Sequence, residues 1–199
     1  MHLEERLRAY GLKAKAVHEK NGVYRENISH FHFSAHPISN ESARLPSTLA
    51  INFYEDLNRD DFLFFDLEST GLGSSEQVYP FLIGYANAGN TGANLTILFA
   101  NTPADEKDIL ANFLSVTQEK VLVSFNGKSF DLPLILRRAE KYNLLGYKKP
   151  KAHLDLYHII RRIYPEKPAR LIDAESRLLN FSRTDDLNGS EVAQAYFEF

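Results

Sequence analysis

Asp66 and Glu68 stand two residues apart at the end of an apolar run, Phe62-Leu63-Phe64-Phe65, and the chain then breaks at Ser69-Thr70-Gly71-Leu72-Gly73. Alternate residues of an extended strand share a face, so the two carboxylates point the same way and Leu67 points opposite. Like charges side by side at the end of a buried strand repel each other. The usual remedy is a bound divalent cation, and hard Mg²⁺ or Mn²⁺ prefers oxygen ligands. A second β-branched and aromatic run, Val121-Leu122-Val123-Ser124-Phe125, also ends in a polar turn, Asn126-Gly127-Lys128-Ser129. A helical pattern follows, with Leu132, Ile135, Leu136 and Ala139 on one face. Asp131 opens that helix, where free N–H groups and the dipole favour a carboxylate. It reads as a helix cap or as a third oxygen ligand, and the two roles are compatible.

The elements that must position these groups follow from patterning. Strands are expected at 62–66, 80–88 and 95–100, with the turn-rich stretch 87–92 as a hairpin loop. Thr102 caps a helix with Pro103 at its first position, running to about residue 117. A fourth strand at 121–125 and a helix at 131–142 come next, then helices near 155–163, 172–179 and 190–199. Residues 3–20 read as a short helix or irregular arm, and the alternation at 30–33 suggests a strand. His30, His32 and His36 could be drafted as a zinc site. Alternation explains His30 and His32 without metal, and no further matching ligand lies nearby in sequence.

Composition bounds the class. The 199 residues suit one domain with a real core, and 44% hydrophobic with 25% charged residues is ordinary for a globular protein. The absence of cysteine excludes disulfides and thiolate metal sites. The first residues are charged and no apolar run approaches a membrane span, so a cytoplasmic protein without membrane attachment is expected. The net charge of -3 is unevenly spread: residues 1–131 carry -6, 132–170 carry +7 and 171–199 carry -4. The basic block holds Arg137, Arg138, Lys141, Lys148, Lys149, Lys151, Arg161 and Arg162, with Tyr142, Tyr147 and Tyr157 interleaved. As a region it favours a polyanionic partner, with tyrosines to stack on unpaired bases. For any single residue, a solvated helix face is the simpler reading.

These residues also carry a resemblance. Asp66-Leu67-Glu68 with Thr70-Gly71, followed by Asn126-x-x-x-Phe130-Asp131, resembles the first two motifs of the DEDD superfamily of 3′–5′ exonucleases. That superfamily includes the proofreading domains of DNA polymerases. The chain is more closely similar to the bacterial YprB-like family of ribonuclease-H-like exonucleases, through Tyr79-Pro80-Phe81-Leu82-Ile83-Gly84, Phe125 to Asp131, His153-Leu154-Asp155-Leu156, Arg161-Arg162, Asp185 to Val192 and Tyr196-Phe197. The resemblance implies an α/β fold: a ribonuclease-H-like mixed sheet, an antiparallel meander followed by parallel strands, flanked by helices. It assigns 61–199 to the exonuclease domain and 1–60 to an extension packed on it or leading into it.

The implied activity is hydrolysis of phosphodiester bonds in single-stranded DNA or RNA from 3′ ends, using two Mg²⁺ or Mn²⁺ ions. Asp66, Glu68 and Asp131 would be the catalytic metal ligands, with Asp66 bridging both ions. Asp155 is a further candidate ligand ranked below them, read alternatively as a helix cap or an outer acid. Thr70, Gly71 and Leu72 would meet the terminal nucleotide, with Leu72 as a wedge against its base. Asn126 would orient Asp131 or contact the sugar–phosphate, Lys128 would hold a phosphate, and Phe130 belongs to the substrate contacts. His153 and His158 are candidates for a general base, ranked below structural roles. The superfamily's fourth acid lies in a late helix beside a His or Tyr, and no such segment occurs up to Phe199. The domain is therefore expected to lack its final helix. The alternative is a catalytically incomplete nucleic-acid-binding or interaction module on the same fold, and an internally cutting nuclease is a third reading.

Overall fold

Leu63 and Phe65 are buried while Phe64 and Asp66, alternating with them, are exposed, the pattern of a strand with one face on the core. That strand, β3 (Phe62–Ser69), is the centre of the computed structural model, which describes residues 57–71, 75–89, 92–144, 146, 149–165, 170–183 and 189–198, with two short strands near the N-terminus. Those two, β1 (Val17–His18) and β2 (Tyr24–Arg25), pair antiparallel. Residues 17 and 18 are thus extended rather than part of a helix over 3–20. The histidine cluster, the strand expected at 30–33 and Leu72 lie outside the described residues.

The main sheet has the order β5-β4-β3-β6-β7, with β4 (Pro80–Gly89), β5 (Gly92–Phe99), β6 (Val121–Ser124) and β7 (Ala152–Asp155). β3, β4 and β5 form an antiparallel meander, and β6 and β7 add in parallel. The sheet is therefore mixed, as expected. The hairpin pairs up to Gly89 and Gly92, so β5 starts three residues earlier than patterning suggests. A ladder continues as far as its turn allows, even through Gly, Ala and Asn of poor strand propensity. β7 is the strand that patterning missed. At four residues it has little periodicity of its own, and its pairing with β6 comes from the tertiary structure. β6 is buried at all four positions, as an interior parallel strand must be.

Five α-helices are described: α1 (Glu106–Val116), α2 (Asp131–Lys141), α3 (Leu156–Ile163), α4 (Leu171–Leu179) and α5 (Gly189–Phe197). A 3₁₀ turn, Pro103–Asp105, leads into α1, and the Asp105 carboxylate accepts the Thr102 N–H at 2.9 Å. The core gathers Leu63, Phe65, Ile83 and Leu98 from the sheet, Ile109, Leu110 and Phe113 from α1, and Ile135 and Ala139 from α2. On α5, Tyr196 stacks on Phe81 at 4.1 Å between centroids and meets Phe99 and Tyr79 edge-on, which docks that helix near β3. Among the described residues no helix is long and apolar enough to cross a membrane.

Candidate active site

β3, β6 and β7 run parallel, so their carboxyl ends share one edge of the sheet. Ligands of open α/β sheets bind at such an edge. β3 delivers Asp66 and Glu68 there, on the face opposite Phe65 and Leu67, and its ladder is irregular just beyond, between Glu68 and Ser69. β6 delivers the turn 125–130 and, through it, Asp131 at the start of α2. β7 delivers Asp155, which pairs in register with Ser124. The carboxylate face of β3 is open to a ligand, since Phe64 on that face is 43% exposed although β3 is the central strand. Directly across from Asp66 is Gly84, so no side chain stands beside the carboxylate at that cross-strand position.

The acids feel one another. Burial pushes Glu68 from an ordinary 4.5 up to about 7, helped by the charge of Asp66. Burial also pushes Asp131 up to about 7, and the charges of Asp66, Asp155 and Glu68 add to the effect. Asp66 is the most open of the three, yet partial burial still raises it, against the Leu67 N–H and the positive charge of Arg183. Asp66, Glu68 and Asp131 thus act on one another's charge at this edge of the sheet. Their donor chemistry suits a hard divalent cation: oxygen ligands whose ionised forms are disfavoured by each other and by burial. Among the described residues, however, no three His, Asp or Glu side chains are disposed to hold a single ion.

A pH dependence follows. Carboxyls raised in the folded state bind more protons there than in the unfolded chain, so their contribution to stability falls as pH rises from about 4 to about 7. With metal chelated, wild type is expected to lose stability relative to Glu68→Gln as pH rises from about 4 to about 7. Thermal unfolding in EDTA checks this, and a gap independent of pH would contradict it.

Around the acids, Thr70 and Gly71 form part of the turn after β3. The Ser69 hydroxyl donates to the Gly71 carbonyl at 2.7 Å, and the Tyr79 N–H donates to Thr70 Oγ1 at 3.2 Å. Lys128 is exposed, and Phe130, next to Asp131 in the chain, is 56% exposed. Asn126 adopts φ 67°, in the left-handed region. A Cβ on Gly127 would lie 2.5 Å from Ser124 Oγ and 2.9 Å from Asp131 Oδ2, so the turn presses closely on the Asp131 carboxylate. His153 lies beneath: its Nε2 meets Ser124 Oγ at 2.7 Å and its ring packs near Phe65. Burial lowers its pKa, and the charge of Lys128 adds to this against the opposing charge of Asp155. His158 is exposed, with Nε2 3.9 Å from Asp155 Oδ2.

The residues of the basic block do not all face solvent. Arg138 is buried and forms a bidentate pair with buried Glu106 of α1. Its Nη1 donates to the Glu76 carbonyl at 2.6 Å, and the Tyr142 hydroxyl donates to Glu106 Oε2 at 2.7 Å. Lys151 pairs with Asp61 at 3.5 Å. Arg161 and Arg162 on α3 remain exposed, and Tyr147 and Lys148 lie outside the described residues. Glu106 falls on the buried face of α1, and only packing tells that Arg138 turns inward to meet it. Gly84, Ser124 and Arg183 were likewise given no role by the sequence, because each acquires one only through strand register or chain folding.

A mixed sheet of this order, with its acids at the carboxyl edge of the central strand, defines a class. The family model of the RNase_H superfamily matches residues 63–199, and the chain belongs to that superfamily. Among individual proteins, it is 32% identical over 161 residues to "Uncharacterized protein YprB" of Bacillus subtilis (strain 168), covering 78% of this chain and 38% of that protein. It is 27% identical over 132 residues to a DNA polymerase of Pyrococcus glycovorans, covering 53% of this chain and 16% of the polymerase. A DNA polymerase of Thermococcus aggregans is 30% identical over 97 residues, 36% of this chain and 5% of that protein. The chain thus spans well under half the length of these relatives.

Proposed function

We propose that this chain is the core of a metal-dependent 3′–5′ exonuclease of the DEDD type, acting on single-stranded DNA or RNA. The observation that carries the reading is the meeting of Asp66, Glu68 and Asp131 at one sheet edge, each raised in pKa, in a ribonuclease-H-type fold similar to parts of DNA polymerases. Asp66, Glu68 and Asp131 would hold Mg²⁺ or Mn²⁺, and a bound pair of ions would supply an activated water and stabilise the departing 3′ oxygen. The protein's own groups then bind and orient the strand. Phe130 offers an open ring for stacking on a base, Lys128 a cation for a phosphate, and the Thr70–Gly71 turn a small-residue approach for the terminal nucleotide. Asn126, in the turn that carries Lys128, would orient Asp131 or contact the sugar–phosphate. Residues 1–60 would be an extension of the domain at 61–199.

One observation favours a second reading. With no three described acids disposed to hold one ion, a strand-binding module without turnover fits the same surface. Single strands labelled at the 5′ end, incubated with Mn²⁺ or EDTA, separate the readings. The assay is run on this chain and on one extended past Phe199. Stepwise shortening that EDTA abolishes supports the exonuclease, and internal products support an endonuclease. Binding that needs no metal, without products in either chain, supports the module.

A further inference from the structure

Asp155 has a completely buried side chain; among the described contacts no Lys or Arg pairs with it, and the exposed His158 stays 3.9 Å from Oδ2, beyond hydrogen-bond reach. Such a carboxylate must be satisfied by hydrogen bonds. Its Oδ1 accepts the Asn126 N–H at 2.7 Å and the Tyr157 N–H at 3.0 Å, and its Oδ2 accepts the Lys128 N–H at 3.0 Å. The Tyr157 bond caps α3, an ordinary use of an aspartate. The other two reach across to a different element, the turn that follows β6. Both oxygens are therefore committed to backbone donors.

The turn they grip is one that needs holding. Asn126 sits in the left-handed region, a conformation that persists when its surroundings over-determine it. Within the turn the Ser129 N–H donates to the Asn126 carbonyl at 3.1 Å, and the Leu132 N–H donates to the Gly127 carbonyl at 2.9 Å. Gly127 lies between the two gripped amides, with room for no side chain against Asp131 Oδ2. A movement of Asn126 or Lys128 is thus passed to the Asp131 carboxylate.

We propose that Asp155 is the positioning residue of the site: it fixes the turn at Asn126 and Lys128 and, through that turn, places Asp131. The consequence for metal binding rests on the nuclease reading, while the hold on the turn does not. Asp155→Ser separates the two uses of the side chain, because serine still caps α3 but is too short to reach the turn. Asp155→Asn, which sets a donor against a donor at one oxygen position, takes its place if the serine variant does not fold. Amide hydrogen exchange at Asn126 and Lys128 should quicken at least about tenfold relative to Tyr157 and the core strands. Mn²⁺ affinity by calorimetry should fall about 10–100-fold with the number of ions unchanged, and kcat should fall while KM for the strand holds.

Unchanged exchange at the two amides overturns the proposal. So does loss of one bound ion per chain, which would make Asp155 a ligand. If wild type binds no Mn²⁺, the nuclease reading fails, and the exchange rates by themselves uphold or overturn the hold on the turn.

Discussion

Asp66→Asn is expected to reduce metal-dependent release of mononucleotides by about 10²–10³-fold or more, with the fold intact. The substitution keeps shape and removes one charge. Asp66 faces the open side of β3, and the core packs on the opposite face through Phe65 and Leu67, so packing is untouched. Its charge is one of those raising both Glu68 and Asp131. Neutralising it should lower both carboxyls in part, burial remaining the larger cause, and relieve repulsion in the metal-free protein. At about pH 8 in EDTA the variant should therefore unfold at the same temperature as wild type or a higher one. Activity lost while chelated stability is kept or gained is the signature of a charge held for function. Full activity in the variant would remove Asp66 from the chemistry, and a large drop in unfolding temperature would make it structural.

Arg138→Ala should instead strike stability, by about 3–5 kcal/mol. Arg138 is 4% exposed and Glu106 1%, so deleting the guanidinium leaves a buried carboxylate to which, among the described residues, only the Tyr142 hydroxyl still donates. The pair joins α1 to α2, and Nη1 also holds the carbonyl of Glu76 in the segment after the Thr70–Gly71 turn. The expected loss in unfolding temperature is roughly 6–20 °C for a domain of this size. A double replacement, Arg138→Met with Glu106→Leu, should recover much of it, because the isolated charge and not the missing contact is the main cost. A single variant within about 2 °C of wild type would mean that water reaches Glu106. A solvated helix face, the simpler reading of any single residue of the basic block, predicts that small change.

The carboxylates were legible because the strand period is two: Asp66 and Glu68 had to share a face once Leu63 and Phe65 were taken as core. The start of α2 at Asp131 was legible from its apolar spacing, and the meander from its short runs and turn residues. The short β7 was not, since four residues carry too little periodicity to declare a strand. Nor was the destination of Arg138, because helical spacing alone does not show which neighbour lies opposite a long side chain.

By itself, then, the sequence determined which residues alternate, where helices start and which acids share a strand or open a helix, all properties of near neighbours. Only the tertiary structure decided that the carboxyl ends of β3, β6 and β7 lie at one edge, so that Asp131 feels Asp66, Glu68 and Asp155. It also decided that Asp155 spends its oxygens on the turn at Asn126 and Lys128, and that Arg138 turns inward. The physical reason is range: backbone geometry repeats within a few residues, whereas burial, charge coupling and hydrogen bonding between distant segments exist only once the sheet has brought them together.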